Sequence, residues 1–167
     1  MGTKVTYPGF HSVTRDNGIF EERVHDSYKI SGKLAEPTLC PLCKAVFHQG
    51  RWQWLTAPEN AHRHNCPACQ RIKDHFPAGF LTLEGDFFRT HRTEIMNLVR
   101  HFEEKEKKEH PLKRIISSGD SENGVQIATT DIHLARGMGE AVHHAYQGDL
   151  EFHYNQAENL LRVHWFH

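Results

Sequence analysis

From position 80 onward the spacing of apolar residues switches between two and three-to-four, and each switch marks an element boundary. Phe80-Leu81-Thr82-Leu83-Glu84-Gly85 reads as a short strand. Ile95, Leu98, Val99 and Phe102 recur at i, i+3, i+4 and i+7, which predicts a helix over about 93–109 with a solvated, charge-rich end. Leu112 to Ser117 and Val125 to Thr129 read as two strands, joined by a turn rich in Gly, Asp, Ser and Asn over 118–124. Thr129, Thr130 and Asp131 are N-cap candidates for a second helix running to Tyr146, with Leu134, Met138, Ala141, Val142 and Ala145 inward and Gly148 as its stop. Gly137 and Gly139 each weaken that helix by about 1 kcal/mol against alanine, which points to close approach of a neighbour. Alternation then returns, with Leu150, Phe152 and Tyr154 on one face, a turn over 155–159, and Leu161, Val163 and Trp165 on one face of the last strand.

The order β-α-β-β-α-β, with an added terminal strand, predicts an α+β, ferredoxin-like domain over 80–167. Two helices would cover one face of an antiparallel sheet and leave the other available. Residues 1–38 show no sustained period and read as a flexible tail that orders on contact. Residues 39–79, bounded by two cysteine pairs, read as a separate small module.

Cys40-Pro41-Leu42-Cys43 and Cys66-Pro67-Ala68-Cys69 hold all the cysteines of the chain. A two-residue gap lets a tight turn aim both sulfurs at one ion, and two such turns supply four tetrahedral thiolates. Cys40, Cys43, Cys66 and Cys69 therefore predict a zinc-binding ribbon, with iron as the rival metal. A thioredoxin-like dithiol would leave the second pair unexplained. With four protein sulfurs no position stays open for substrate, so the expected role of Zn2+ is structural. His48, His62 and His64 lie in the same segment but are surplus to that count. Trp52 and Trp54 belong either to the miniature core of the module or to a base-stacking edge.

Charge adds a local argument, not a global one. Twenty basic and twenty-one acidic side chains nearly cancel, so any anion-binding face must come from segregation. Arg51, Arg63, Arg71 and Lys73 cluster around the cysteines, with Arg89 and Arg92 following the first strand; together with Trp52 and Trp54 they form the candidate nucleic-acid contact. Fifteen histidines would add positive charge on mild acidification. Paired carboxylates at catalytic spacing, a phosphate-binding glycine loop and a nucleophile elbow are all missing from the sequence, so an enzyme is not expected. The sequence has no apolar run long enough to cross a membrane and no secretory signal, which places the expectation in the cytoplasm.

The words Cys-Pro-x-Cys, Gly50-Arg51-Trp52-x-Trp54, Cys66-Pro67-Ala68-Cys69-x-Arg71-Ile72, Pro77-Ala78-Gly79, His110-Pro111-Leu112-x-Arg114-Ile115 and Thr129-Thr130-Asp131-Ile132-His133-Leu134-Ala135-Arg136 together resemble an uncharacterised family of small bacterial zinc-knuckle proteins. More distantly, paired knuckles ahead of an α+β domain are similar to the N-terminal part of the large-ribosomal-subunit export adaptor family. That family carries more knuckles and further domains. The resemblance implies a ribosome- or rRNA-binding protein. A stress-linked adaptor that docks a protein partner, and a small-ligand or metal sensor using the histidines, are the alternatives.

Overall fold

The computed structural model describes residues 7–13, 28 and 32–167; the tail expected over 1–38 lies largely outside them. In chain order the elements are β1 (His11–Val13), β2 (Thr38–Leu39), β3 (Val46–His48), β4 (Arg51–Gln53), β5 (His62–Arg63), α1 (Pro67–Asp74), β6 (Gly79–Glu84), α2 (Asp86–Thr90), α3 (Arg92–Glu109), β7 (Ile115–Asp120), β8 (Gly124–Thr129), α4 (Ile132–Tyr146), β9 (Asp149–Asn155) and β10 (Leu160–Phe166). The chain is α+β, with one six-stranded and one four-stranded sheet. No described helix is long and apolar enough to cross a membrane.

The larger sheet has the order β1-β9-β10-β6-β8-β7. Its alternation matches the sequence: Leu81 and Leu83 of β6, Val125 and Ile127 of β8, and Leu161, Val163 and Trp165 of β10 turn inward and are fully or almost fully buried. Ile95, Met96 and Val99 of α3 and Leu134, Ala135, Met138 and Val142 of α4 close over them in one cluster. Burying a large apolar side chain contributes about 1.5–3 kcal/mol, so this cluster is the main stabilising element of the sheet. Asp131 caps α4 as expected, its Oδ2 accepting from the Leu134 amide at 2.9 Å.

Both glycines of α4 serve close packing. A Cβ on Gly137 would stand 2.7 Å from the Phe102 ring of α3, and one on Gly139 would stand 2.5 Å from Cγ1 of Val163 in β10. The helix accepts its propensity penalty because any side chain here would push it off its neighbours.

One expectation needs correction. The sheet is mixed, because β10 pairs parallel with β6, from Leu161 opposite Gly79 to Phe166 opposite Glu84. The reason is the landing point of the chain after α4. That helix packs across β6, β10 and β9, so it delivers the chain to β9, and the 155–159 turn folds β10 back into the gap beside β6. The short helix α2 and strand β1 were not anticipated either; β1 joins the outer edge by pairing His11–Val13 with Phe152–Tyr154 of β9.

The smaller sheet has the order β4-β3-β2-β5, with strands of two or three residues. Gln49 and Gly50 both take positive φ, 52° and 78°, as a two-residue hairpin turn between β3 and β4 demands. Their amides donate to the two carboxylate oxygens of Glu36 at 3.0 and 2.9 Å, which anchors the hairpin tip.

Candidate metal centre

Four sulfurs converge where the small sheet meets α1. Cys40 follows β2 directly and is fully buried; its amide donates to Ala45 O at 2.8 Å, and Lys44 N returns a bond to Cys40 O at 2.9 Å. Lys44 turns the chain at φ 70°, and the loop holds Cys43 beside Cys40. On the second arm Cys66 is the N-cap of α1, and its Sγ accepts from the Cys69 amide at 3.4 Å, while Pro67 starts the helix where no amide is needed. The Cys66 amide donates to Cys40 Sγ at 3.3 Å and links the arms.

The four Sγ atoms lie within 4.8 Å of one another, and Cys43 Sγ stands 3.8 Å from Cys66 Sγ. A tetrahedral metal thiolate with bonds of about 2.3 Å has sulfur–sulfur edges of about 3.8 Å. The Cys43–Cys66 separation matches that edge, and the four sulfurs are gathered closely enough to hold one metal ion. His48, His62 and His64 are exposed and take no part in the four-sulfur group.

The sequence did not single out a fifth member of the site. Arg114, just ahead of β7, is buried, and its Nη2 donates to Cys66 Sγ at 3.1 Å and to Cys69 Sγ at 3.2 Å. Thr130 fixes its backbone: Arg114 N donates to Thr130 Oγ1 at 2.9 Å, and Thr130 N donates to Arg114 O at 2.9 Å. Leu112, whose carbonyl accepts from Thr130 Oγ1 at 2.6 Å, packs on the sulfur cluster. The only sequence signal was the presence of Arg114 in the word His110-Pro111-Leu112-x-Arg114-Ile115. A lone arginine forty-odd residues after the cysteines has no spacing that announces a sulfur partner.

The thiols answer to one another and to this cation. A hydrogen bond with Cys66 holds Cys43 well below the ordinary thiol range, against burial. Cys66 moves up, driven by that same shared bond and by burial. Burial also pushes Cys69 up, with Arg114 opposing. Burial works against the Arg114 charge, but its bond to Cys69 and the nearby sulfurs outweigh it and raise its pKa. A partly ionised cluster needs a cation beside it, and Arg114 supplies one from the larger sheet.

The predicted contact residues separate into several environments. Arg51 on β4, Arg63 on β5 and Lys73 on α1 are exposed, as is Lys44 on the first knuckle. Arg71 is not available in that way: it is 4% exposed, its Nη1 donates to Phe76 O at 3.1 Å, and its guanidinium lies over the Tyr28 ring at 4.6 Å. The amphipathic turn of α1 that presents Lys73 outward points Arg71 inward. Arg89 pairs with Asp86 and Arg92 with Asp120, both pairs exposed. Trp52 packs on the sulfur cluster and on Phe47, at a ring separation of 5.5 Å. Trp54 lies past the end of β4, 38% exposed, and its Nε1 donates to Lys107 O of α3 at 2.7 Å.

Charge divides along the same line as the sheets. Residues 32–75 carry six basic and three acidic side chains, whereas residues 76–167 carry ten and fourteen. No protein-family model, curated protein or solved structure matches this chain.

Proposed function

We propose that the chain is a zinc-stabilised, non-enzymatic RNA-binding protein of the cytoplasm, with the ribosome or its rRNA as target. The observation that carries this is the basic excess of residues 32–75, most of it on exposed Lys44, Arg51, Arg63 and Lys73 around the four-sulfur site. Phosphate contacts need cations held in fixed register, and a metal-stapled module braced by Arg114 provides that register. Zinc suits four thiolates at these separations and needs no open coordination position, which agrees with a structural role. We assign the 80–167 part to the ferredoxin-like group, with β10 folded back beside β6. The two β-α-β crossovers on one sheet face support this. The more distant resemblance to the large-subunit export adaptor agrees with the same target.

A protein partner is the second reading, favoured by the exposure of Leu42 at 59% and Leu55 at 44% beside the exposed cations. Cosedimentation of the metal-loaded chain with ribosomal particles across a salt series separates the two. RNA binding predicts a log–log slope of about −0.7 to −0.9 per neutralised phosphate. Joint replacement Arg51→Ala, Arg63→Ala and Lys73→Ala should flatten that slope by about three contacts, and affinity should be higher at pH 6 than at pH 7.5. Salt-independent association, or a triple variant that binds like the native chain, refutes the RNA reading.

A further inference from the structure

The helix-free face of the larger sheet carries an organised row of side chains. Phe80 of β6, Arg162 of β10 and His153 of β9 are direct cross-strand partners, so they stand side by side on that face. The next row places Thr82 beside His164 and His164 beside Glu151. His164 Nε2 lies 2.8 Å from Glu84 Oε2, and His153 Nε2 lies 3.3 Å from Glu151 Oε2. This face is partly covered: Thr82, His153 and His164 are buried. Among the described residues Tyr7 and Phe10 lie on it. The Arg162 guanidinium stands 5.0 Å from the Tyr7 ring centroid, 5.4 Å from that of Phe10 and 4.6 Å from that of Phe80, and Tyr7 meets His153 edge-on at 5.5 Å.

We infer that this face is a stacking platform for bases of single-stranded RNA, formed by Phe80, Arg162 and His153, and that Tyr7 and Phe10 are the chain's own occupants of the base positions. This extends the RNA reading above to a second surface. Flat rings and guanidinium planes on a sheet are what unstacked bases pair with. The strap satisfies that need only in part. Among the described residues Arg162 Nε is buried and has no acceptor, and the phenyl and phenol rings beside the guanidinium offer no in-plane lone pair there. A single strand of RNA offers the plane of one base together with the base-edge, ribose and phosphate oxygens of its neighbours, so one nucleotide stacks on the guanidinium while an adjacent one accepts from Nε in its plane. Glu84 and Glu151 stand beside the platform as acceptors for exocyclic amino groups. An aliphatic or acidic peptide lacks the plane.

The strap is built to leave. β1 contributes three residue pairs at the sheet edge, Pro8, Gly9, His11 and Ser12 are exposed, and Tyr7 and Phe10 are only half-buried. Short, edge-paired segments of this kind open at low cost. If the strap is closed in about nine molecules of ten, it weakens binding about tenfold.

The test uses the full metal-loaded chain and a labelled purine-rich hexaribonucleotide. Joint replacement Tyr7→Ala and Phe10→Ala should tighten binding about tenfold, and adding Arg162→Lys, which keeps the charge but not the plane, should remove the gain. In the native chain the probe should shift the Arg162 Nε–H resonance, a readout that needs no substitution. Unchanged affinity on opening the strap, a gain that survives both Arg162→Lys and Phe80→Leu, equal binding of an abasic oligomer, or equal competition by an aromatic-rich peptide would each overturn the assignment. The Arg51, Arg63 and Lys73 triple variant should keep the gain while losing salt-dependent ribosome binding, so the two surfaces fail separately.

Discussion

Residues 32–75 and residues 76–167 are held together by different means. In the first, strands of two or three residues pair around four sulfurs, and the buried apolar set is Ala45, Val46, Ala68, Cys40, Cys66 and Cys69. In the second, fifteen buried side chains from three strands and three helices form one cluster. A segment with so few apolar side chains cannot offset its chain entropy by burial, whereas the larger part can. Hydrophobic packing decides the order of the larger part, whereas the smaller part gathers its strands around a four-sulfur cluster that could hold a metal ion. Arg114, Leu112 and Trp54 are where the two meet, and each crosses by a different force: charge to sulfur, apolar contact, and a hydrogen bond.

Chelation at neutral pH should break the comparison most widely. Structural metal contributes on the order of 10 kcal/mol, so amides of β2, β3 and α1 should lose hydrogen-exchange protection while those of β6, β8 and β10 keep theirs. Simultaneous loss in both parts would show that the larger core depends on the metal as well. The complementary change is Leu81→Ala or Leu134→Ala, each fully buried. It should cost about 2–5 kcal/mol in denaturant unfolding and leave metal stoichiometry unaltered.

Arg114→Ala tests the junction itself. It removes two hydrogen bonds to sulfur, worth about 1.5–3 kcal/mol as charged bonds, and should lower metal affinity by about tenfold to a hundredfold in a competition titration with a chromophoric chelator. Arg114→Lys should restore part of it, since the charge returns but the fork that spans Cys66 and Cys69 does not. Trp54→Phe should cost about 1 kcal/mol by losing the bond to Lys107 O, with no effect on metal affinity.

A smaller effect concerns the strap. Burial raises the Tyr7 pKa from its reference of 10.0, with Arg162 opposing the shift. The folded chain thus favours the neutral phenol. That contribution is present in full below about pH 10 and is lost as pH rises through the elevated folded value. Burial raises Tyr154 as well, so absorbance titration should show more than one phenol ionising late, and Tyr7→Phe should remove one of them without changing unfolding at pH 7 by more than about 1 kcal/mol.

The convergence of the four cysteines was legible in the sequence because Cys-Pro-x-Cys spacing is a local geometric constraint that only the intervening turn has to satisfy. So were α3, α4, β6, β8, β9 and β10, because their apolar residues recur at a fixed local period; the strand expected over 112–117 instead forms over Ile115–Asp120, where the only apolar residues are the adjacent Ile115 and Ile116. Even the close approach at Gly137 and Gly139 could be read, since nothing local favours glycine inside a helix. Arg71 and Arg114 were not legible. Both are arginines near a cysteine-rich segment, yet one is turned inward by the phase of α1 and the other is carried to the sulfurs from the start of β7. The parallel pairing of β10 with β6, the cover of Tyr7 and Phe10 over Arg162, and the sulfur partner of Arg114 all join residues dozens of positions apart. Local pattern sets which face of an element is apolar; only the assembled fold sets which distant backbone or cation comes to lie against it.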